Sequence, residues 1–284
     1  FFNSAVSKFD VAKNRVLNDY PFNGSTEENE NFTLSGSGYE NYIFKQWPRS
    51  VGYLELNGTD QYLSASDNKN ILLLGTASLY VSAWIKPAVF TQSIFLQVLS
   101  ASRPSPIDSP TAPLRYGFDF YLSGAIDPHV KFSLYSGSNT TSVSASYTAY
   151  SSSWNNVAVI YDNPANIVSL YINQNIQSSA SITFNSVEWK PIKLLVGSGS
   201  QNWIPASASN YSFYSGSIDE IRIFHTASQL YHNKSYSVPV RSEDFLKLRY
   251  SFNEGIVGTS SVDLNAIDYS RNGLHGVVAN YSSA

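Results

Sequence analysis

Nowhere in this chain do apolar residues recur at helical spacing for as long as three turns. They alternate with polar residues in short runs, each closed by Gly, Asn, Ser or Pro. The clearest runs are YLELNGTDQYLSAS (53–66), SLYVSAWIKP (78–87), YGFDFYL (116–122), HVKFSLYSG (129–137), NNVAVIYDN (155–163), IVSLYIN (167–173), IKLLVGSG (192–199) and GSIDEIRIF (216–224). A strand that alternates in this way buries one face. Many such strands at regular spacing fold as a sandwich or barrel, so the expected class is all-β and antiparallel. Between two of the runs, Pro104, Pro106, Pro110 and Pro113 make residues 101–115 a surface loop, because proline cannot donate to a β-ladder.

The face assignments follow from the period of two. In 78–87, Leu79, Val81, Ala83 and Ile85 form one apolar face opposite Tyr80, Ser82, Trp84 and Lys86. In 216–224, Ile218, Glu220, Arg222 and Phe224 are expected opposite Asp219, Ile221 and Ile223, with Glu220 and Arg222 paired to neighbouring strands on an outer face.

Composition narrows the function classes. Of 284 residues, 43% are hydrophobic but only 14% are charged, so solubility rests on Ser, Asn, Thr and Tyr. The net charge is −3 and Lys and Arg never cluster, which argues against nucleic-acid or anionic-membrane partners. No apolar stretch is long enough to span a bilayer, so no membrane insertion is expected. With no Cys there is neither a disulfide framework nor a thiolate metal site. Met is absent even at position 1, which reads as a processed chain or a segment of a longer one. Sequons at Asn23, Asn31, Asn57, Asn139, Asn210, Asn233 and Asn280 permit N-glycosylation and suit an extracellular or cell-surface setting.

The order of motifs resembles the laminin-G-like, concanavalin-A-like jelly-roll family. It runs through LNGTDQYL (56–63), VSAWIKP (81–87), Trp154 to Asp162 with its hairpin partner LYIN (170–173), and GSIDEIRIFHTASQL (216–230). Asn156 stands where that family often has His, and Asn173-Gln174 where it often has Asn-Gly, as in a distant member. The resemblance implies an antiparallel jelly-roll sandwich over residues 1–235. Residues 236–244 then read as a linker, and 245–284 as a strand-forming tail.

That tail repeats the chain's own start. FLKLRYSFNEG (245–255) carries Tyr250-x-Phe252-Asn253, and NDYPFNG (18–24) carries Tyr20-x-Phe22-Asn23. DYSRNGLHGVV (268–278) resembles the family's Asp-x-Ser-x-x-Gly-x-x-Gly element near the first strand. Leu246, Leu248, Tyr250 and Phe252, with Leu274, Val277 and Val278, are the residues expected to seek a core. The tail either packs on its own domain, begins a second domain, or completes a neighbouring copy by strand addition. Its partners are then copies of the chain, head to tail, or neighbouring domains.

No catalytic constellation stands out. His129, His225, His232 and His275 lack the spacing of a metal-binding pair, and the Gly/Ser stretches at 34–40 and 195–201 read as turns. A glycosidase needs two carboxylates about 5–10 Å apart, which a strand supplies at i and i+2. The adjacent Asp219 and Glu220 are expected on opposite faces. No cofactor is required. A structural Ca²⁺ would use Asp60 and Asp219, since jelly rolls bind it through carboxylate and carbonyl oxygens. Trp47 and Trp203, beside turn prolines, are the aromatic candidates for stacking on a sugar. The leading expectation is a non-catalytic extracellular adhesion or structural glycoprotein that assembles through its tail into a fibre or surface layer. The alternative is a carbohydrate-binding, lectin-like module of a larger secreted protein, and a degenerate glycosidase is a third, weaker reading.

Overall fold

The computed structural model describes residues 53–100, 115–124, 126–148, 153–182, 191–200, 211–228, 245–252 and 265–280. In chain order its strands are β1 (Leu54–Asn57), β2 (Tyr62–Ser66), β3 (Leu79–Pro87), β4 (Ser93–Ser100), β5 (Arg115–Ser123), β6 (His129–Gly137), β7 (Asn139–Ser146), β8 (Asn155–Asp162) and β9 (Ile167–Ile172). They continue with β10 (Asn175–Ser181), β11 (Pro191–Val196), β12 (Ser198–Ser200), β13 (Tyr211–Phe213), β14 (Ser215–Phe224), β15 (Leu246–Tyr250), β16 (Asn265–Ala266) and β17 (Gly276–Ala279). One sheet runs β1-β14-β3-β8-β9-β10, with β15 also on β14; the other runs β16-β17-β2-β11-β4-β5-β6-β7. A two-stranded ladder of β12 and β13 stands beside them. All the pairings are antiparallel, so the chain is the expected β-sandwich.

The core lies between the two sheets. Leu79, Val81, Ala83 and Ile85 of β3 face it as the alternation predicts, and they meet Phe118, Phe120, Phe132 and Leu134 of the other sheet in one buried cluster. Ring contacts such as Phe95 with Phe120, at 4.8 Å between centroids, add directional packing to the burial of apolar area. The run 53–66 is two strands, not one. β1 joins the first sheet and β2 the second, and the turn at Asn57–Asp60 carries the chain across. At its centre Gly58 has φ +75, and a Cβ there would stand 2.6 Å from that of Ser215.

The β9–β10 hairpin turns at Asn173 (φ 49) and Gln174 (φ 69). Two successive left-handed residues match the strand twist of a tight hairpin, and glycine is the usual second residue. Asn173 is secured there: its Oδ1 accepts from the Asn156 N–H at 2.9 Å and its Nδ2 donates to Asn155 Oδ1 at 2.8 Å. Those bonds hold the turn although Gln174 takes the glycine position.

Candidate functional site at the tail seam

The tail packs on the body of its own chain and extends both sheets, so the sandwich does not end at residue 235. β15 pairs with the second half of β14, Tyr250 opposite Ile221 and Leu248 opposite Ile223. β17 pairs with β2, Val277 opposite Ser64 and Val278 opposite Leu63. Six of the seven expected tail residues are buried: Leu246, Leu248, Tyr250, Phe252, Leu274 and Val278. Val277 is 53% exposed and points away from the core. Leu246 is also displaced from the expected face. A register shift between Ile223 and Phe224 turns it into a separate cluster with Tyr80, Ala158, Ile160 and Phe224 on the outer side of the sheet.

At the seam β14 carries a bulge. β1 covers β14 from Ser215 to Ile218 and β15 covers it from Ile221 to Phe224, leaving Asp219 and Glu220 at the junction. The ladder to β3 breaks between Asp219 and Arg222, and Glu220 has φ 46. An extra residue resets the alternation. Ile218 therefore enters the core with Ile221 and Ile223, whereas the strict period placed it opposite them. Asp219 shares register with the outward Trp84, and Arg222 with the outward Ser82. Asp219 also acts electrostatically on Arg249, the residue that holds Glu220. The two carboxylates thus lie on one face, which corrects the expectation that adjacency separates them.

Glu220 is locked on that face. Its Oε2 accepts from Arg222 Nε and from Arg249 Nε, each at 3.1 Å, and its Oε1 accepts from Arg249 Nη2 at 2.8 Å. Burial by itself would raise this carboxyl, but the Arg222 and Arg249 guanidiniums together outweigh it and hold the group below its ordinary value. Glu220 is therefore an anion at neutral pH and ties the tail strand to β14. Beside it the His225 N–H donates to the Phe245 carbonyl at 2.9 Å, and burial, reinforced by Lys247, lowers this imidazole to about 4.

A second fastening organises the rest of the tail. Asp268 Oδ1 accepts from the N–H groups of Arg249 (3.1 Å) and Ser270 (2.9 Å), and Oδ2 from the Leu274 N–H (3.0 Å) and the Ser270 hydroxyl (2.8 Å). The Tyr250 hydroxyl donates to the Leu274 carbonyl. The DYSRNGLHG motif is thus a turn built on one carboxylate, and its Asp also holds β15. Sequence reading singled out the motif but not Arg249 or Asp268 as its anchors.

The other expected residues scatter. Asp60 is exposed in the β1–β2 turn, whereas Asp219 is fully buried. Since Asn57 is opposite Ser215, four residues before Asp219, roughly 13 Å of strand separates the turn from Asp219, and the two acids do not share one ion. Among the described residues no group of three His, Cys, Asp or Glu side chains converges to hold a metal. Asn57 is exposed but bonds within its own turn: its Oδ1 accepts the Thr59 N–H at 2.9 Å and its Nδ2 donates to Asp60 Oδ1 at 2.8 Å. Asn280 Nδ2 donates to the Asp60 carbonyl at 3.0 Å. Asn139 is exposed at the start of β7. Asn23, Asn31, Asn210, Asn233, Trp47 and Trp203 lie outside the described residues. Trp84 is packed, and Trp154 meets the exposed Tyr53 edge-on at 5.6 Å.

Asp119 is a further buried acid, on the outer side of the second sheet, where its Oδ2 accepts from the Tyr135 hydroxyl at 3.0 Å. Burial and then the Asp119 charge raise that phenol, so it stays a donor. The residues two away on its strand are Gly117 and Tyr121, so no second carboxylate stands at catalytic spacing there.

Comparison with known proteins agrees with this architecture. Comparison with curated proteins gives no match. Among solved structures, a candidate carbohydrate-binding protein from Bacteroides ovatus is 12% identical with a TM-score of 0.54, the match covering 81% of this chain and 60% of that one. The chain thus spans 60% of that relative's length. The heptameric SAP-like pentraxin of Limulus polyphemus is 10% identical, with a TM-score of 0.46 over 67% of this chain and 81% of that one. Domains LG4-5 of the mouse laminin alpha1 chain are 14% identical, with a TM-score of 0.44 over 61% of this chain and 42% of that one. A family model described as the concanavalin A-like lectin/glucanases superfamily matches residues 57–229, more than half of the sequence, and the chain belongs to that family.

Proposed function

We propose that this chain is a non-catalytic, extracellular, lectin-like adhesion module that recognises glycans. Membership of a superfamily of lectins and glucanases carries the reading. What separates lectin from glucanase is the state of the carboxylates. A glycosidase acid must hold its proton near neutral pH, which calls for a raised carboxyl. Glu220 shares a face with Asp219, but two guanidiniums lower it and occupy both of its oxygens. A carboxylate ionised at neutral pH in that position fastens a strand and has no proton to donate there.

The test is binding of the full chain to a glycan array in the presence of calcium, which also covers a structural ion at Asp60 or Asp219. Saturable binding that is lost on Trp203→Ala or Trp47→Ala supports the reading; an empty array overturns it. Tyr53→Ala provides a third probe, since this ring is 52% exposed against Trp154.

A second reading, assembly of copies into a fibre or surface layer, rests on one observation: a single C-terminal segment supplies strands to both sheets. A segment that completes a sandwich in cis has the chemistry to complete one in trans. Light scattering of the full chain and of a variant lacking 245–284 tests it. A monomeric full chain removes the reading.

A further inference from the structure

The dipeptide Asn-Gly occurs at 23–24, 57–58 and 272–273, and the first pair lies outside the described residues. Glycine lacks the Cβ that keeps a backbone nitrogen from the preceding side chain, so an asparagine before it readily loses its side-chain ammonia. The two described pairs use their amides in opposite ways.

Asn57 works through its oxygen. Its Oδ1 accepts from the N–H groups of Thr59, Asp60 and Gln61 at 2.9, 3.3 and 3.3 Å, while Nδ2 donates to Asp60 Oδ1. A carboxylate in its place accepts the same three bonds. Asn272 works through its nitrogen. Its Nδ2 donates to the carbonyls of Leu246 and Lys247 and to Ser270 Oγ, each at 3.0 Å. β15 has a ladder partner on one side only, β14, and among the described residues its other border carries the single bridge of Tyr250 with Asp268. The Asn272 amide caps the two carbonyls at the start of that border. A carboxylate there would set oxygen against two carbonyl oxygens. Ser270 alone would separate it from Asp268, whose Oδ2 takes the Ser270 hydroxyl at 2.8 Å.

The site is open to the reaction. Gly273 is exposed with φ +75, and a Cβ added there would meet nothing nearer than Lys69 Nζ at 4.0 Å. We propose that Asn272 is a deamidation site whose conversion to aspartate unfastens the tail in one direction only. The Gly273 backbone nitrogen gives its proton to solvent base and attacks Asn272 Cγ; the Cγ–Nδ2 bond breaks and ammonia leaves, closing a cyclic imide. Water opens the imide at either carbonyl, to aspartate or isoaspartate. A water is consumed for each ammonia released, and nothing is oxidised or reduced. While the tail is docked the leaving nitrogen is pinned by its acceptors, so the reaction runs in the transiently open segment. Redocking is then opposed by charge. In isoaspartate it is also opposed by an added backbone methylene between Ser270 and Leu274, both anchored on Asp268. The modification is independent of any ligand the sandwich takes.

The full chain is expressed without glycosylation, so that Asn57 stays an amide, and aged in mildly alkaline buffer. Peptide mass and isoaspartyl methylation map the products, and acid is expected at 272. A chain that keeps the amide at 272, whether or not 57 converts, overturns the proposal. The chain modified at 272 is separated by anion exchange and compared with the parent by hydrogen exchange. Residues 245–252 and 265–280 are expected to exchange roughly tenfold faster or more, while β3 and β8 keep their rates. Unchanged protection of 245–252 overturns the release, and loss of protection in β3 and β8 as well overturns its confinement to the tail.

Full chains carrying Asn272→Asp or Asn57→Asp repeat the comparison without ageing. The first is expected to reproduce the local loss and the second to leave the tail protected; a tail loosened equally by both refutes the assignment to Asn272. Should Asn272→Asp fail to fold, the aged chain, folded before the change, decides.

Discussion

Replacing Glu220 by Gln keeps the shape of the side chain and removes its charge, leaving Arg222 and Arg249 buried at 2% and 8% exposure with no anion between them at this point. Breaking a buried ion pair from one side costs about 3–5 kcal/mol, because the surviving charges stay desolvated. Arg249→Leu, by contrast, leaves Glu220 its bond from Arg222 and removes the cation that repels Arg222. The double variant Glu220→Gln with Arg249→Leu is therefore expected to cost less than the sum of the singles by at least about 1.5 kcal/mol, since the two residues share one network. Urea unfolding of the four proteins, followed by tryptophan fluorescence, gives the cycle directly. Additive costs, or a loss below about 1 kcal/mol for Glu220→Gln, would refute the claim that this cluster fastens β15.

Acid is expected to loosen the tail through two groups. His225 is lowered to about 4, so the stability it contributes is complete above its ordinary value of 6.5 and is lost as pH falls toward 4, up to about 3 kcal/mol. Glu220 is also lowered, so its contribution is lost on further acidification below its ordinary 4.5. His225→Asn should flatten the pH 6.5 to 4 portion of the unfolding midpoint and leave the lower portion; an unchanged profile refutes the assignment. Gly276→Ala drives a Cβ to 2.5 Å from Leu63 Cδ2, and Leu63 is fully buried, so a loss of about 1–3 kcal/mol is expected in urea unfolding. Val277→Thr, at an exposed position one residue on, should stay within about 0.5 kcal/mol. Expressed in a glycosylating host and mapped by peptide mass spectrometry, Asn139 should be occupied in preference to Asn57 and Asn280, whose amides both bond to Asp60.

The strands that followed one rule were legible. β3 alternates without interruption, and its core face was readable residue by residue. β14 was not, because its bulge falls on a Glu in the left-handed region, which that residue seldom adopts and which nothing in its neighbours announces. The error spread from there to Ile218 and to the faces of Asp219 and Glu220. The tail showed its amphipathic pattern plainly, but its anchor depends on Arg249 meeting a carboxylate 29 residues earlier, a contact no local pattern encodes. β7, with the sequence NTTSVSAS, carries too few apolar residues to stand out as a strand, and it is held by its pairing with β6.

The docking of β17 on β2 also has a consequence for biogenesis. Leu63 is made first and waits for Val278, more than 200 residues later in the chain. Until that partner emerges, one border of each sheet presents unpaired amides and carbonyls, the kind of border on which chains adhere to one another. Pairings that far apart close slowly, and the delay lengthens the exposure. Folding of this sandwich is thus completed only once residues 265–280 have emerged, and the time spent in the open state sets how much of the chain is available to a neighbour.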